Sequence, residues 1–99
     1  MSFYQISRRE IFRVISSSFP DAEALRYEGV VMKEDLPSHL LWMIKEMEEW
    51  DKFSFKKAIQ AGPWIGWMFR AMEELGFFTL DDSREFFRKD VDERYDIPH

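Results

Sequence analysis

GPWIGWMFRAMEELG, residues Gly62–Gly76, is the stretch on which the fold turns. It reads as a helix that starts on proline, stops at glycine and carries two of the four tryptophans. Pro63 suits a first turn, since its φ is already helical and an amide hydrogen there has no intrahelical partner. Gly76 suits the position just past the end, where the chain turns left-handed. At ~100° per residue, Trp64, Ile65, Met68, Phe69, Ala71, Met72 and Leu75 fall on one wide arc. Trp67 lies at its margin, and Arg70, Glu73 and Glu74 share the far side with Gly66. So wide an apolar arc needs cover from more than one neighbour. Each large ring buries roughly 150–250 Å², which at ~25 cal/mol per Å² is several kcal/mol as an upper bound.

On the N-terminal side of this stretch, Ser54 is placed to cap a helix running to about Ala61, with Phe55, Ala58 and Ile59 inward. Gly62-Pro63 then bends or breaks it, because proline removes a hydrogen bond and crowds the preceding turn. Ala58, Gly62 and Gly66 recur every four residues, a strip of small side chains that admits another backbone, inside the domain or from a second copy. A helix beginning near Pro37, with Asp35 or Leu36 at its cap, turns Leu36, Leu40, Met43, Ile44, Met47 and Trp50 to one face. Lys45, Glu46, Glu48 and Glu49 lie outside, with Glu48–Lys52 as an i,i+4 pair. Trp42 falls among these charges. Either a loop covers it or it is an exposed anchor for a partner.

Residues 20–36 read as an irregular loop pinned by Leu25, Tyr27 and Val31. A helical turn at residues 21–25 and a small hairpin about Glu28-Gly29 are the alternatives. Before the loop, Ser7-Arg8-Arg9-Glu10 matches a capping box. Ile11, Phe12, Val14, Ile15 and Phe19 cluster on one helix face, and Arg9 and Arg13 are outside. After Gly76, Phe77 and Phe78 make a corner whose rings tuck under the domain. Thr79 caps the last helix, with Asp81 and Asp82 at its positive end. Leu80, Ser83, Phe87, Val91 and Tyr95 are expected inward, with Glu85–Lys89 and Asp90–Arg94 as surface pairs. Phe86 points among Asp82, Lys89 and Glu93, a second candidate anchor, and Arg84 lies in the apolar stripe, snorkelling or paired. Residues 96–99 form a loose tail. The whole is an all-α, single-domain bundle of about four helices with a proline-bent central helix.

The composition narrows function by exclusion. Ninety-nine residues, 45% apolar, suffice for one core without staples. No cysteine is present, so disulfides and thiolate metal sites are out. No signal-peptide pattern and no apolar run of ~20 residues appear, and a cytoplasmic protein is expected. A net charge of −5 disfavours direct binding to nucleic acid. Neither a glycine-rich phosphate loop nor a Gly-x-Ser-x-Gly elbow is present. His39, placed near the polar side of its helix, makes neither a metal site nor a convincing general base alone. The expectation is a protein that is not an enzyme and that takes no cofactor or metal. The candidate partner-binding residues are Trp42 with neighbouring Glu46 and Glu49, and Phe86 with neighbouring Lys89.

Leu40-Leu41-Trp42-Met43, Lys57-Ala58, Trp64-Ile65-Gly66-Trp67-Met68, Gly76, Ser83-Arg84 and Asp90-Val91 together resemble a loose group of small phage and prophage accessory proteins. The similarity spans Pro37 to Tyr95 and centres on a Trp-[Ile/Leu]-Gly core followed ten residues later by glycine. Pro63 stands where that pattern has a basic residue. The resemblance implies a phage-type accessory protein in the host cytoplasm. The expected function is binding and modulating a host protein or complex, by inhibition of an enzyme such as a nuclease or a defence complex. Two alternatives are an acidic DNA mimic, built on Glu46, Glu49, Glu73, Glu74, Asp81, Asp82, Glu85, Asp90, Asp92 and Glu93, and a structural homo-oligomer.

Overall fold

Ile65, Met68, Phe69, Ala71 and Met72 are all buried, and Trp64 and Leu75 pack half-buried against them, so the arc of the central stretch faces the core. The computed structural model describes residues 3–50 and 56–94, and the side chains of residues 56, 58, 93 and 94 fall outside that description. Its helices are α1 (Gln5–Ser18), α2 (Leu36–Trp50), α3 (Lys56–Glu74) and α4 (Leu80–Arg94), with a 3-10 turn at Lys33–Asp35 leading into α2. Among the described residues there is no strand. The architecture is an all-α bundle of four helices.

α3 starts before the proline and runs through it. It begins at Lys56, and Pro63 sits in its interior with no break. The expected helix start on Pro63 is corrected to Lys56, and of the two outcomes expected at Pro63, a bend or a break, the break does not occur. Proline frees the carbonyl four residues back, that of Ile59. Ile59 is 70% exposed and Pro63 is exposed, so water can reach the freed oxygen. Ile59 therefore does not face inward, while Phe55 and the proposed cap Ser54 lie outside the described residues, as do Lys52, Tyr95 and residues 96–99. The C-terminus follows expectation. Gly76 has φ +83°, its N–H donates to the Glu73 carbonyl at 3.0 Å, and the Phe77 N–H donates to the Met72 carbonyl at 3.0 Å. This is a Schellman closure, which needs a residue free to turn left-handed. Phe78 is buried beyond it, and Phe77 meets Phe19 edge-on at 6.0 Å.

α2 buries all six residues assigned to its inner face. Residues 19–32 form an irregular segment, as expected. Its pins differ: Val31 and Tyr27 are half-buried, but Leu25 is exposed, and it is the Leu25 N–H that holds, donating to the Ser38 carbonyl at 3.1 Å.

α1 begins earlier than its capping-box pattern suggests. Tyr4, at φ +54°, is the cap residue, and Ser7 already lies inside the helix. Ser7 cannot cap because its hydroxyl is taken by Asp90 of α4. Asp90 Oδ1 accepts the Ile6 N–H at 2.7 Å, and Oδ2 accepts the Ser7 N–H at 3.1 Å and the Ser7 hydroxyl. Asp90 is 6% exposed and Ser7 is buried. A carboxylate placed against first-turn N–H groups satisfies donors the helix cannot and sits at the positive end of the dipole. Glu10, freed from any capping role, pairs with Arg13, which holds its carboxyl below the usual range. Phe12 is half exposed rather than inward.

The Asp90 contact fixes the rotation of α4. Ser83 is inward as expected, but Phe86 and Asp90 join it there in place of Leu80 and Phe87, a rotation of about 100°. Phe86 packs on Phe78 at 5.1 Å, whereas Leu80 and Phe87 are 55% and 43% exposed. The N-terminus of α4 is as expected: Thr79 Oγ1 accepts the Asp82 N–H at 3.1 Å and Asp82 accepts the Thr79 N–H at 2.8 Å. The surface pairing differs: Glu85 meets Arg88 rather than Lys89, Arg88 also meets Asp92, and Asp90, expected opposite Arg94, turns to α1.

Asp90→Ala leaves two N–H groups and a hydroxyl unpartnered in a buried site. It should lower unfolding free energy by ~2–3 kcal/mol in urea titration. A loss under ~0.5 kcal/mol would mean that Asp90 does not anchor α4 to α1.

Candidate functional site

The α2–α3 face gathers the tryptophans. Trp50 and Trp64 lie 4.4 Å apart by ring centroid, Trp64 and Trp42 5.5 Å, Trp42 and His39 5.4 Å, and His39 and Trp67 5.2 Å. Such offset and edge contacts suit the quadrupoles of aromatic rings. The guanidinium of Arg26 covers Trp42 at 5.5 Å and the ammonium of Lys57 covers Trp50 at 5.2 Å. Trp42 is therefore not an exposed anchor. The irregular segment folds over it, which is the first of the two readings its wheel position left open. Glu46 is half-buried and Glu49 exposed on the same helix.

His39 is buried, at 8% exposure, rather than solvent-facing. Its Nδ1 accepts the Tyr27 N–H at 3.1 Å, so the proton of the neutral ring sits on Nε2. Burial first, and the charge of Arg26 second, push its pKa below the ordinary 6.5. The ring thus fastens the 19–32 segment to α2 only while unprotonated.

A second feature lies between α3 and α4. α4 packs chiefly against α1, and α3 against α2, so the two helices joined by the Gly76 corner leave a gap. It is an open groove of about 330 Å³. Ile65 and Phe69 form its α3 side with Gly62 and Gly66, and Leu80 and Phe87 form its α4 side. Arg70, Glu73, Ser83 and Arg84 complete it. Ser83 donates its hydroxyl to Glu73 at 3.0 Å, which ties that carboxylate across the gap. Tyr4 stands where Gly62 and Phe87 meet: its ring stacks on Phe87 at 5.7 Å, and its hydroxyl would lie 3.7 Å from a Cβ at residue 62. A Cβ at residue 66 would meet nothing within 4 Å. The small-residue strip thus serves internal packing at Gly62 and opens onto the groove at Gly66. A larger recess of about 620 Å³ between α1, α2 and residues 22–24 has a mixed lining, in which Phe12, Leu41 and Ile44 alternate with Glu23, Lys45 and Glu48.

The other predicted site residues fall elsewhere. Phe86 is half-buried on Phe78, with the Lys89 ammonium 6.0 Å from its ring, so it is a core-flanking ring rather than an exposed anchor. The five predicted partner-binding residues do not come together: Trp42, Glu46 and Glu49 are on α2, Phe86 and Lys89 on α4. Several residues of the acidic strip have partners within the chain. Asp90 is buried under α1, Glu73 bonds Ser83, Asp82 bonds Thr79, and Glu85 and Asp92 meet Arg88. Glu93 lies outside the described side chains. Sequence reasoning missed the Asp90 clamp and the groove. The available signal was an acid seven residues from Ser83, on the same helical face.

Among the described residues no three potential metal ligands cluster, and no helix is long and apolar enough to cross a membrane. Set against family models, curated proteins and solved structures, the chain matches none.

The His39 contact has a pH signature. A neutral ring is favoured in the fold, so its contribution is complete above ~6.5, the unfolded value, and falls as pH drops below it towards the lower folded value. Carboxylates with lowered pKa, Glu10 and Glu85, lose their contribution in a more acidic window. The urea midpoint should therefore fall between about pH 7.5 and pH 5.5. His39→Gln should flatten that decline, and an unchanged slope in the variant would place the proton elsewhere.

Proposed function

We propose that this chain is a non-enzymatic protein-binding domain, a phage-type accessory protein that binds and modulates a host enzyme such as a nuclease or a defence complex. The phage context comes from the resemblance over Pro37 to Tyr95. The binding reading rests on one observation: the α3–α4 groove leaves Leu80 and Phe87 in water beside Ile65 and Phe69. About half of each side chain is still exposed, so covering it would contribute on the order of 1 kcal/mol per residue, and such side chains grouped at a groove mark interaction surfaces. The docking surface moves accordingly, from Trp42 and Phe86 to the groove.

Gly66→Leu separates the groove from the fold. A Cβ at residue 66 meets nothing within 4 Å, and the rest of the leucine side chain would occupy the gap. It also replaces a poor helix former with a good one, worth ~0.5–1 kcal/mol to α3. Affinity capture from the native host should recover a protein with the wild type that is lost, or reduced at least ~10-fold, with Gly66→Leu. The same proteins recovered equally by both forms would refute the groove as the docking surface.

A further inference from the structure

We propose that the α3–α4 groove receives an amphipathic α-helix of a protein partner whose apolar stripe is flanked by acidic side chains. This rests on the protein-binding reading above and names the kind of partner. The charge on the rim selects it. Arg13, Arg26 and Arg88 each meet a carboxylate of this chain. Arg70 and Arg84, on opposite walls of the groove, meet no carboxylate among the described residues, as is also true of Arg9 on α1. The groove carboxylate, Glu73, is already engaged by Ser83. In a chain of net charge −5 the groove is thus edged by two guanidinium groups that meet no carboxylate among the described residues. Each offers a planar fork of donors suited to carboxylate.

The shape selects a helix. Both walls are helices whose backbone groups bond internally, so no strand edge is offered for β-addition. Beyond the Gly76 corner α4 packs chiefly on α1, where Asp90 holds it, rather than on α3. A third helix laid between them would seat side chains on Ile65, Phe69, Leu80 and Phe87. Gly66, with open space where a Cβ would stand, lets that helix approach closely. Its acidic residues on either flank would then reach Arg70 and Arg84.

Two synthetic peptides of about fifteen residues, the length of α4, provide the probe. Both are alanine-rich helices with leucine and phenylalanine four residues apart. One carries glutamate on both flanks of that stripe, and its twin carries lysine at the same places. Titrated into the full chain and followed by amide chemical shifts, the glutamate peptide should move Gly66, Leu80 and Phe87. It should bind at least ~10-fold tighter than the lysine peptide, with the gap narrowing in high salt. Arg70→Glu/Arg84→Glu, two exposed positions, should reverse the preference. Gly66→Leu, with helical circular dichroism retained, should abolish binding.

Equal affinity for the two peptides, or shifts confined to another face, would overturn the proposal. So would light scattering that shows a dimer dissociated by Gly66→Leu, since the occupant would then be a second copy. If host capture is lost in Gly66→Leu while the peptides bind equally, protein binding stands and the acidic helix falls. If capture is unchanged while the glutamate peptide alone binds, the groove accepts acidic helices and the host-binding reading falls.

Discussion

One carboxylate determines how the helices are arranged. Asp90 reaches from α4 to the first turn of α1 and accepts two backbone N–H groups and a hydroxyl. Those amides have no acceptor within their own helix. Taking a carboxylate out of water is costly unless it is fully bonded. Geometry therefore has little freedom here: α4 must present residue 90 to α1, and every other residue on α4 follows. Ser83 and Phe86, on the same face, go inward, and Leu80, Arg84 and Phe87 are left on the side of α3.

The other half of the bundle is closed by a different force. Trp42, Trp50, Trp64 and Trp67, with His39 among them, join α2 to α3 through ring contacts. Arg26 and Lys57 cover this cluster, and the 19–32 segment is fastened across it by backbone donors to His39 and Ser38. With α3 committed to α2 and α4 committed to α1, the two helices that follow one another in the chain are the pair left apart. The groove is thus a consequence of two strong pairings elsewhere, and its apolar walls are what a third helix would cover.

Much of this was legible in the sequence, for identifiable reasons. Helix periodicity found the inner faces of α2 and α3, because those faces are aliphatic and aromatic at consistent spacing. Gly76 and Thr79 marked helix ends, because a left-handed turn and a side-chain cap are local requirements. Pro63 misled, because whether a proline breaks a helix depends on whether the carbonyl it frees can be hydrated, and that is a tertiary fact. His39 misled and Trp42 stayed open between cover and anchor for the same reason: a wheel shows which side faces away from the core, and not whether a loop folds over it. Ser7 was read as a cap because its local pattern fits one, while its real partner lies 83 residues away. The rotation of α4 was illegible from its apolar residues alone, since Phe86 and Phe87 are adjacent and either could turn inward. Only the long-range bond to Asp90 decides between them. The five residues singled out for partner binding were chosen for apparent exposure, and exposure on α2 and α4 was set by these two non-local events.

Hydrogen exchange at the Ile6 and Ser7 amides tests the arrangement most directly. First-turn amides of a helix ordinarily exchange quickly, because no backbone carbonyl accepts them. If Asp90 holds them, both will exchange as slowly as amides in the middle of α3, and Asp90→Ala will release them together. Exchange at the rate of a frayed helix end in the wild-type chain would contradict the account and remove the reason for the groove to stay open.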